Sequence, residues 1–136
     1  MDLHSLVRSL SYLNEQGIIN DKLEIILPNH YFIFDGNVIG RSAYNLETLS
    51  LVMTLMKQNP QKVVYLRGPH EATDFWINLG LRQELEVISK DLSFKRTSLD
   101  SSLSDFFDTL PLSLYLCEMD KEEFHCVTLS SHSRSH

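Results

Sequence analysis

The feature that most constrains the fold is a pair of short apolar runs separated by one amphipathic helical pattern. The first run, YFIF, occupies residues 31–34, and the second, KVVYL, occupies residues 62–66. Between them, apolar residues recur every three or four positions from Leu46 to Met56, which is the spacing of a helix with one buried face. A strand, a helix and a second strand with short connectors form a parallel βαβ unit with a right-handed crossover. The pattern therefore predicts an α/β protein.

Weaker patterns predict further elements around this unit. Residues 112–118 and 123–129 flank a turn at 119–122 and indicate a β-hairpin, one register of which places Cys117 opposite Cys126. The two cysteines fit neither a zinc ribbon nor a disulfide scaffold, so we expect buried thiols. The other expected features are a helix over 3–16, a helix cap at Asn45, helical residues 72–90 with a break at Gly80, a polar connector over 91–100 and a short helix over 104–109.

Composition and charge narrow the functional classes. The chain has 136 residues, of which 43% are apolar, and its formal net charge is −6 at pH 7. We expect one domain over residues 1–129 and a polar, disordered tail over 130–136. A net negative charge disfavours nucleic acid and anionic membranes as partners, and the apolar runs are far shorter than the ~20 residues that span a bilayer. The expected protein is cytoplasmic and binds neither.

Chemistry is expected in the loops that follow the two strands. Ligands of parallel sheets bind beyond the carboxyl ends of the strands. We call residues 35–42 the first loop and residues 67–71 the second loop. Because parallel strands end at the same edge of a sheet, side chains from both loops should meet there.

These loops and the helix between them resemble a known family. The chain reads FIFDGNVIGRS at 32–42, YNLETLSLVMTL at 44–55 and LRGPHE at 66–71. In this order the stretches resemble the GDxVDRG and LRGNHE motifs of calcineurin-like metallophosphoesterases, most closely those of the phosphoprotein (Ser/Thr) phosphatases. MDLHS at 1–5 stands where that family has GDxHG, and DFFDTLPL at 105–112 resembles a later segment. The resemblance covers only the N-terminal half of the family domain.

The resemblance implies a layered α/β fold with a metal-dependent site. The family fold is an αββα sandwich whose second sheet comes from the C-terminal half, so a reduced or partial sandwich is expected here. Such a fold would expose sheet surface, which favours a homodimer or a larger protein partner. In the family, two divalent cations (Mn, Fe or Zn) activate the water that attacks phosphorus.

Carried over residue by residue, the resemblance retains part of this site. Asp2 and His4 match two ligands of one metal, and Arg41 and Arg67 match arginines that bind phosphate. His70 matches the histidine that protonates the leaving group. Two guanidinium groups and an imidazole make a suitable anion pocket, so a phosphate group or phosphoprotein can be expected to bind without being cleaved.

Four positions depart from the family pattern. Asn37 and Gly40 stand where the family has aspartate, Pro69 stands where it has asparagine, and Thr128 stands where it has histidine. A neutral amide bridges two cations poorly, and glycine and proline offer no side-chain donor. Without a carboxylate at Gly40, the general acid His70 is badly poised. We therefore expect either no metal or one weakly bound divalent metal at Asp2, His4 and Asn37.

Several functions remain open at this point. The leading hypothesis is a catalytically impaired pseudophosphatase that binds phosphate or phosphoprotein or serves in protein assembly. The alternatives are an active Ser/Thr phosphatase whose missing ligands come from another segment or chain, and a structural subunit with a relic pocket. Arg41 and Arg67 could also simply pair with neighbours such as Asp35 and Glu71. For Trp76, a place in the helical core or in a contact with a partner is favoured over a stacking platform.

Overall fold

The structure, a computed structural model, describes residues 1–92, 96–120 and 123–130. It contains the mixed helices and strands of an α/β protein, as the sequence predicts. The elements are α1 (Leu3–Glu15), β1 (Phe32–Phe34), α2 (Asn45–Gln58), β2 (Val63–Tyr65), the 3₁₀ turn Pro69–Glu71, α3 (Thr73–Trp76), α4 (Gly80–Leu92), α5 (Arg96–Thr109), β3 (Ser113–Asp120) and β4 (Glu123–Ser130).

The central βαβ unit is confirmed. Strands β1 and β2 pair in parallel, with Phe32 opposite Val63 and Phe34 opposite Tyr65, and α2 lies between them in the chain. The backbone N–H of Leu66 donates to the carbonyl of Phe34 over 2.8 Å, so pairing continues to the point where the second loop begins. Both loops therefore leave the sheet at the same edge.

The hydrophobic core packs the helices around this small sheet. Leu6 and Leu10 contribute the buried face of α1, and Val52 and Leu55 contribute that of α2. Trp76 is completely buried, and its ring meets that of Phe107 edge to face at a centroid distance of 6.0 Å. Trp76 thus belongs to the core, one of the two places favoured from the sequence.

Two helical predictions need correction. The expected polar connector over 91–100 is wrong in part, because α5 already begins at Arg96 and continues to Thr109; residues 93–95 lie outside the described residues. Leu99, Leu103 and Phe107 place an apolar stripe on one side of this serine-rich helix, and that stripe packs on the core. Asn45 is the first residue of α2 and not its cap, a position that Tyr44 holds.

The hairpin is confirmed as an antiparallel pair of β3 and β4, with Cys117 opposite Cys126. The expectation of buried thiols is wrong for Cys117, which is exposed and disulfide-bonded. Strand β4 ends at Ser130, and the rest of the expected tail, 131–136, lies outside the described residues. In the part of the chain that the structure describes, no helix combines the length and apolar character needed to span a membrane.

Candidate functional site

The two loops at the sheet edge are joined by one buried carboxylate, that of Glu71. This side chain is completely buried. Its Oε2 accepts the backbone N–H of Asn37 over 2.9 Å and that of Gly68 over 2.8 Å. Its Oε1 accepts the backbone N–H of Val38 over 2.8 Å and the hydroxyl of Tyr65 over 2.7 Å. Glu71 therefore ties the first loop to the second loop and to β2.

This role differs from the one considered for Glu71 from the sequence. The side chain is not an ion-pair partner of an arginine; its oxygens are directed at backbone N–H groups and a phenol. A buried carboxylate without a cation is tolerated only when such donors satisfy it. Burial together with the adjacent Glu71 carboxylate raises the pKa of Tyr65 far above its ordinary value, so this phenol remains a proton donor.

Asn37 lies where the two loops contact each other. Its backbone has a positive φ of 52°, a conformation that asparagine tolerates better than most residues. Its side-chain Oδ1 accepts the backbone N–H of His70 over 3.1 Å. A Cβ atom on Gly68 would lie 2.5 Å from the Asn37 nitrogen. The amide at the bridging position thus contributes to loop packing, and only glycine fits opposite it.

The His70 ring is oriented by the backbone of the first loop. Its Nδ1 lies 2.9 Å from the carbonyl oxygen of Ile39, and because a carbonyl only accepts, Nδ1 must carry the hydrogen of this bond. In the tautomer with its hydrogen on Nδ1, the ring presents Nε2 as its acceptor nitrogen. A Cβ atom on Gly40 would lie 3.3 Å from Nδ1. Gly40, where the resemblance implies a carboxylate, therefore adjoins the ring directly.

Arg67 is held at the start of the second loop by α5. Its Nη2 lies 2.6 Å from Oδ1 of Asp108, and its backbone N–H donates to the carbonyl of Pro111 over 2.8 Å. Arg67 therefore does form an ion pair with a carboxylate, as the sequence allowed, but its partner here is Asp108 and not Asp35 or Glu71. Sequence reasoning missed Asp108, which stands 41 positions along the chain in another element.

Arg41 occupies a separate place. It is exposed and lines a cleft of about 590 Å³ between the end of the first loop and the segment that contains α3 and the start of α4. Neither Arg67 nor His70 lines this cleft. Its remaining lining residues combine one acid, two amides and apolar groups: Asp74, Phe75, Asn78, Leu79, Gly80 and Gln83.

A second carboxylate, from Glu84 on α4, holds the start of α2. Its Oε1 accepts the backbone N–H of Asn45 over 3.0 Å, and its Oε2 accepts that of Leu46 over 2.7 Å. The Asn45 side chain in turn accepts the backbone N–H of Gly40 over 2.7 Å. The far end of the first loop is therefore held by hydrogen bonds as well.

Asp2 and His4 lie at the start of α1. The Asp2 carboxylate caps this helix by accepting the backbone N–H and the hydroxyl of Ser5, each over 2.9 Å. The backbone bond from Ser5 is the main reason why the pKa of Asp2 is lowered. His4 is exposed, with its ring 5.6 Å from that of Tyr44. The Met1 nitrogen donates to the Asn37 carbonyl over 2.8 Å, so this segment does reach the first loop.

The donors present do not fit a pair of divalent cations. Among residues 1–92, 96–120 and 123–130, no three His, Cys, Asp or Glu side chains are grouped so that they could hold a metal ion. The Asn37 amide oxygen is engaged with His70, and Pro69 and Gly40 have no ligating atom. Thr128 is exposed on β4 opposite Tyr115. What the geometry offers instead is a tightly bonded loop pair bearing Arg41, Arg67 and His70.

Comparison with known proteins identifies the family. The profile of the calcineurin-like phosphoesterases matches residues 2–133. The chain belongs to this family. The calcineurin-like phosphoesterases are metal-dependent, and the two loops carry this chain's versions of their motifs. No solved structure matches the chain.

Curated relatives of the chain include serine/threonine-protein phosphatases. The serine/threonine-protein phosphatase PP2A-like PPG1 of Candida albicans is 31% identical over 117 residues, covering 81% of this chain and 26% of the relative. Its namesake in Saccharomyces cerevisiae is 29% identical over 116 residues, covering 82% and 29%. The phosphatase ppe1 of Schizosaccharomyces pombe is 41% identical over 76 residues, covering 52% and 25%. The chain thus spans between a quarter and a third of the length of these relatives and corresponds to part of the family domain.

Proposed function

We propose that this chain is a catalytically impaired, phosphoprotein-phosphatase-like domain that binds phosphate groups carried by proteins. The observation that carries the proposal is the contact between Gly40 and His70. The His70 ring is held by a backbone carbonyl, and the adjoining position has no carboxylate. A carbonyl orients an imidazole but brings no negative charge to stabilise its protonated form, so His70 is a poor general acid.

The donor chemistry of the loops supports the same proposal. A two-cation mechanism needs anionic bridging ligands to offset four positive charges, and the corresponding positions hold an amide, a glycine and a proline. The arginines Arg41 and Arg67 are retained on the two loops. Guanidinium groups bind phosphate through charge-assisted hydrogen bonds that require no metal.

The cleft at Arg41, which Arg67 does not line, favours a phosphate carried on a polypeptide over the free ion, because the peptide beside a phosphate held at Arg67 can contact this cleft. Phe75 lines it with an exposed ring, 55% accessible, which can pack against an apolar side chain. Asn78 and Gln83 line the same cleft, and their amides can both donate to and accept from a peptide backbone. Asp74 disfavours a densely acidic ligand, so we propose a peptide with a single phosphorylated residue.

Calorimetric titration with a phosphoserine peptide tests the proposal. We expect binding that weakens by about tenfold or more in the Arg41→Ala, Arg67→Ala double variant, since the loss of a single charge-assisted bond already costs ~1.5 kcal/mol. The matched control is Arg8→Ala with Lys57→Ala, which removes two exposed positive charges outside both loops. An isotherm that changes equally in both variants, or in neither, would contradict specific recognition by the loop arginines.

The second candidate is a working phosphatase, and the names of the relatives favour it. In that case donors from another segment or chain would complete the metal site. Incubation with Mn²⁺ and p-nitrophenyl phosphate separates the candidates. We expect no turnover above that of the His70→Ala variant; metal-dependent turnover that this substitution abolishes would replace the proposed function by the second candidate.

A further inference from the structure

The ion pair of Arg67 with Asp108 joins a side chain that can bind phosphate to a carboxylate of the protein itself. The two side chains approach to 2.6 Å, and they are 24% and 55% exposed, respectively. The pair is therefore neither sealed in the core nor fully open to solvent. An external ligand can reach the carboxylate side of it, whereas most of the arginine is covered by protein.

The backbone keeps this carboxylate beside the guanidinium. Pro111 follows Asp108 by three positions, and its carbonyl accepts the backbone N–H of Arg67 over 2.8 Å. This bond fixes the end of α5 against the start of the second loop. Because the carboxylate is tethered by the fold, its effective concentration at the arginine is high, and a free anion must compete with it.

Carboxylate and phosphate oxygens use the same N–H donors of a guanidinium group. A ligand phosphate arriving at Arg67 must therefore share those donors with Asp108 or displace it. It also meets the repulsion of a like charge a few ångströms away. Both effects act against any anion at Arg67. The repulsion grows with the charge of the ligand, but so does the attraction to the guanidinium group, and a ligand with only one negative charge cannot outcompete a tethered carboxylate of equal charge.

We propose that Asp108 is an intramolecular competitor that limits anion binding at Arg67 and restricts the site to phosphate monoester dianions. The inference rests on the proposed function, because it presupposes that Arg67 contributes to phosphate binding. Asp108 is not a ligand-binding residue itself; it acts through Arg67 and sets how strongly, and for which anions, that arginine is available.

The test is a titration of the wild type, Asp108→Asn and Asp105→Asn with the phosphoserine peptide and with the same peptide carrying glutamate in place of phosphoserine. Asparagine keeps the size of the side chain and removes its charge. Asp105 lies on the same helix, is exposed and loses the same charge when changed to asparagine. We expect Asp108→Asn to bind the phosphoserine peptide about two- to fivefold more tightly, the range of an exposed ion pair. The preference of Asp108→Asn for the phosphoserine peptide over the glutamate peptide should be smaller than that of the wild type. Asp105→Asn should behave like the wild type.

The outcomes separate this inference from the proposed function. If the wild type binds and Asp108→Asn binds no more tightly, or if Asp105→Asn tightens equally, the competitor role is wrong and phosphate binding stands. If no variant binds either peptide, the phosphate site and the inference fall together. Thermal unfolding checks the fold of each variant, and Asp108→Ser is measured in the same way should the asparagine variant not fold. In the Arg67→Gln background the effect of Asp108→Asn should vanish.

Discussion

At the residue scale, the carboxylate of Glu71 holds the site together. The sequence shows it as the last letter of LRGPHE, and its position in the second loop was predictable. Its bonds were not, because backbone N–H groups of residues 37, 38 and 68 are their main donors, and backbone groups leave no pattern in a sequence. The contact of Arg67 with Asp108 escaped prediction for a related reason: ion pairs between distant elements depend on packing, not spacing.

The substitution Glu71→Gln should destabilise the protein strongly. Glutamine keeps the shape but loses the charge, and its NH₂ group would face N–H donors that now point at an oxygen. Leaving buried donors unsatisfied costs about 1–3 kcal/mol each, so we expect a loss of ~2–4 kcal/mol in the free energy of unfolding, measured by urea denaturation.

Glu86→Gln is the matched control for this substitution. Glu86 makes an exposed pair with Lys90 at 3.8 Å, and such pairs contribute about 0.3–0.5 kcal/mol. Equal losses in the two variants would show that the buried network around Glu71 has no special weight.

At the scale of elements, the spacing of apolar residues in the sequence predicted those helices and strands that have a regular apolar pattern. The βαβ unit, α1 and the hairpin follow from apolar spacing and turn residues, and all three are present. The beginning of α5 was missed, since serines and charges outnumber its apolar positions. Asn45 was mistaken for a cap, because its side chain bonds back to Gly40 and not to its own helix.

The start of α2 supplies the prediction at this scale. Helix N-termini leave backbone N–H groups without intrahelical partners, and here Glu84 of α4 accepts two of them. Glu84→Ala should therefore lower the free energy of unfolding by about 1–2 kcal/mol, as for loss of a helix cap. It should also loosen the first loop, visible as faster amide hydrogen exchange at Gly40.

Glu86→Ala, two positions along the same helix, provides the comparison for helix propensity. If Glu86→Ala accelerates amide hydrogen exchange at Gly40 as much as Glu84→Ala does, the contact of the Glu84 carboxylate is not what fixes the loop.

At the scale of the whole molecule, the loops are held by protein groups where a metal centre would otherwise organise them. Glu71 fixes the beginning of the first loop and Glu84 fixes its far end. Bound metal stabilises a folded protein by RT ln(1 + [metal]/Kd), about 2.7 kcal/mol at a hundredfold excess over Kd but only ~0.4 kcal/mol when the concentration equals Kd. The free energy of unfolding should therefore rise clearly on addition of metal only if the chain binds a cation tightly.

We expect the midpoint of thermal unfolding to be the same, within about 2 °C, in EDTA and in 1 mM Mn²⁺, because one site with a Kd near that concentration contributes ~0.4 kcal/mol. The Asp2→Asn, His4→Ala variant is the control, since it removes the two remaining ligand-type side chains at the start of α1 while asparagine still caps the helix. A rise of roughly 10 °C with Mn²⁺ in the wild type, absent from this variant, would mean that the chain binds metal tightly after all. The argument that an amide, a glycine and a proline have removed the cation centre would then fail.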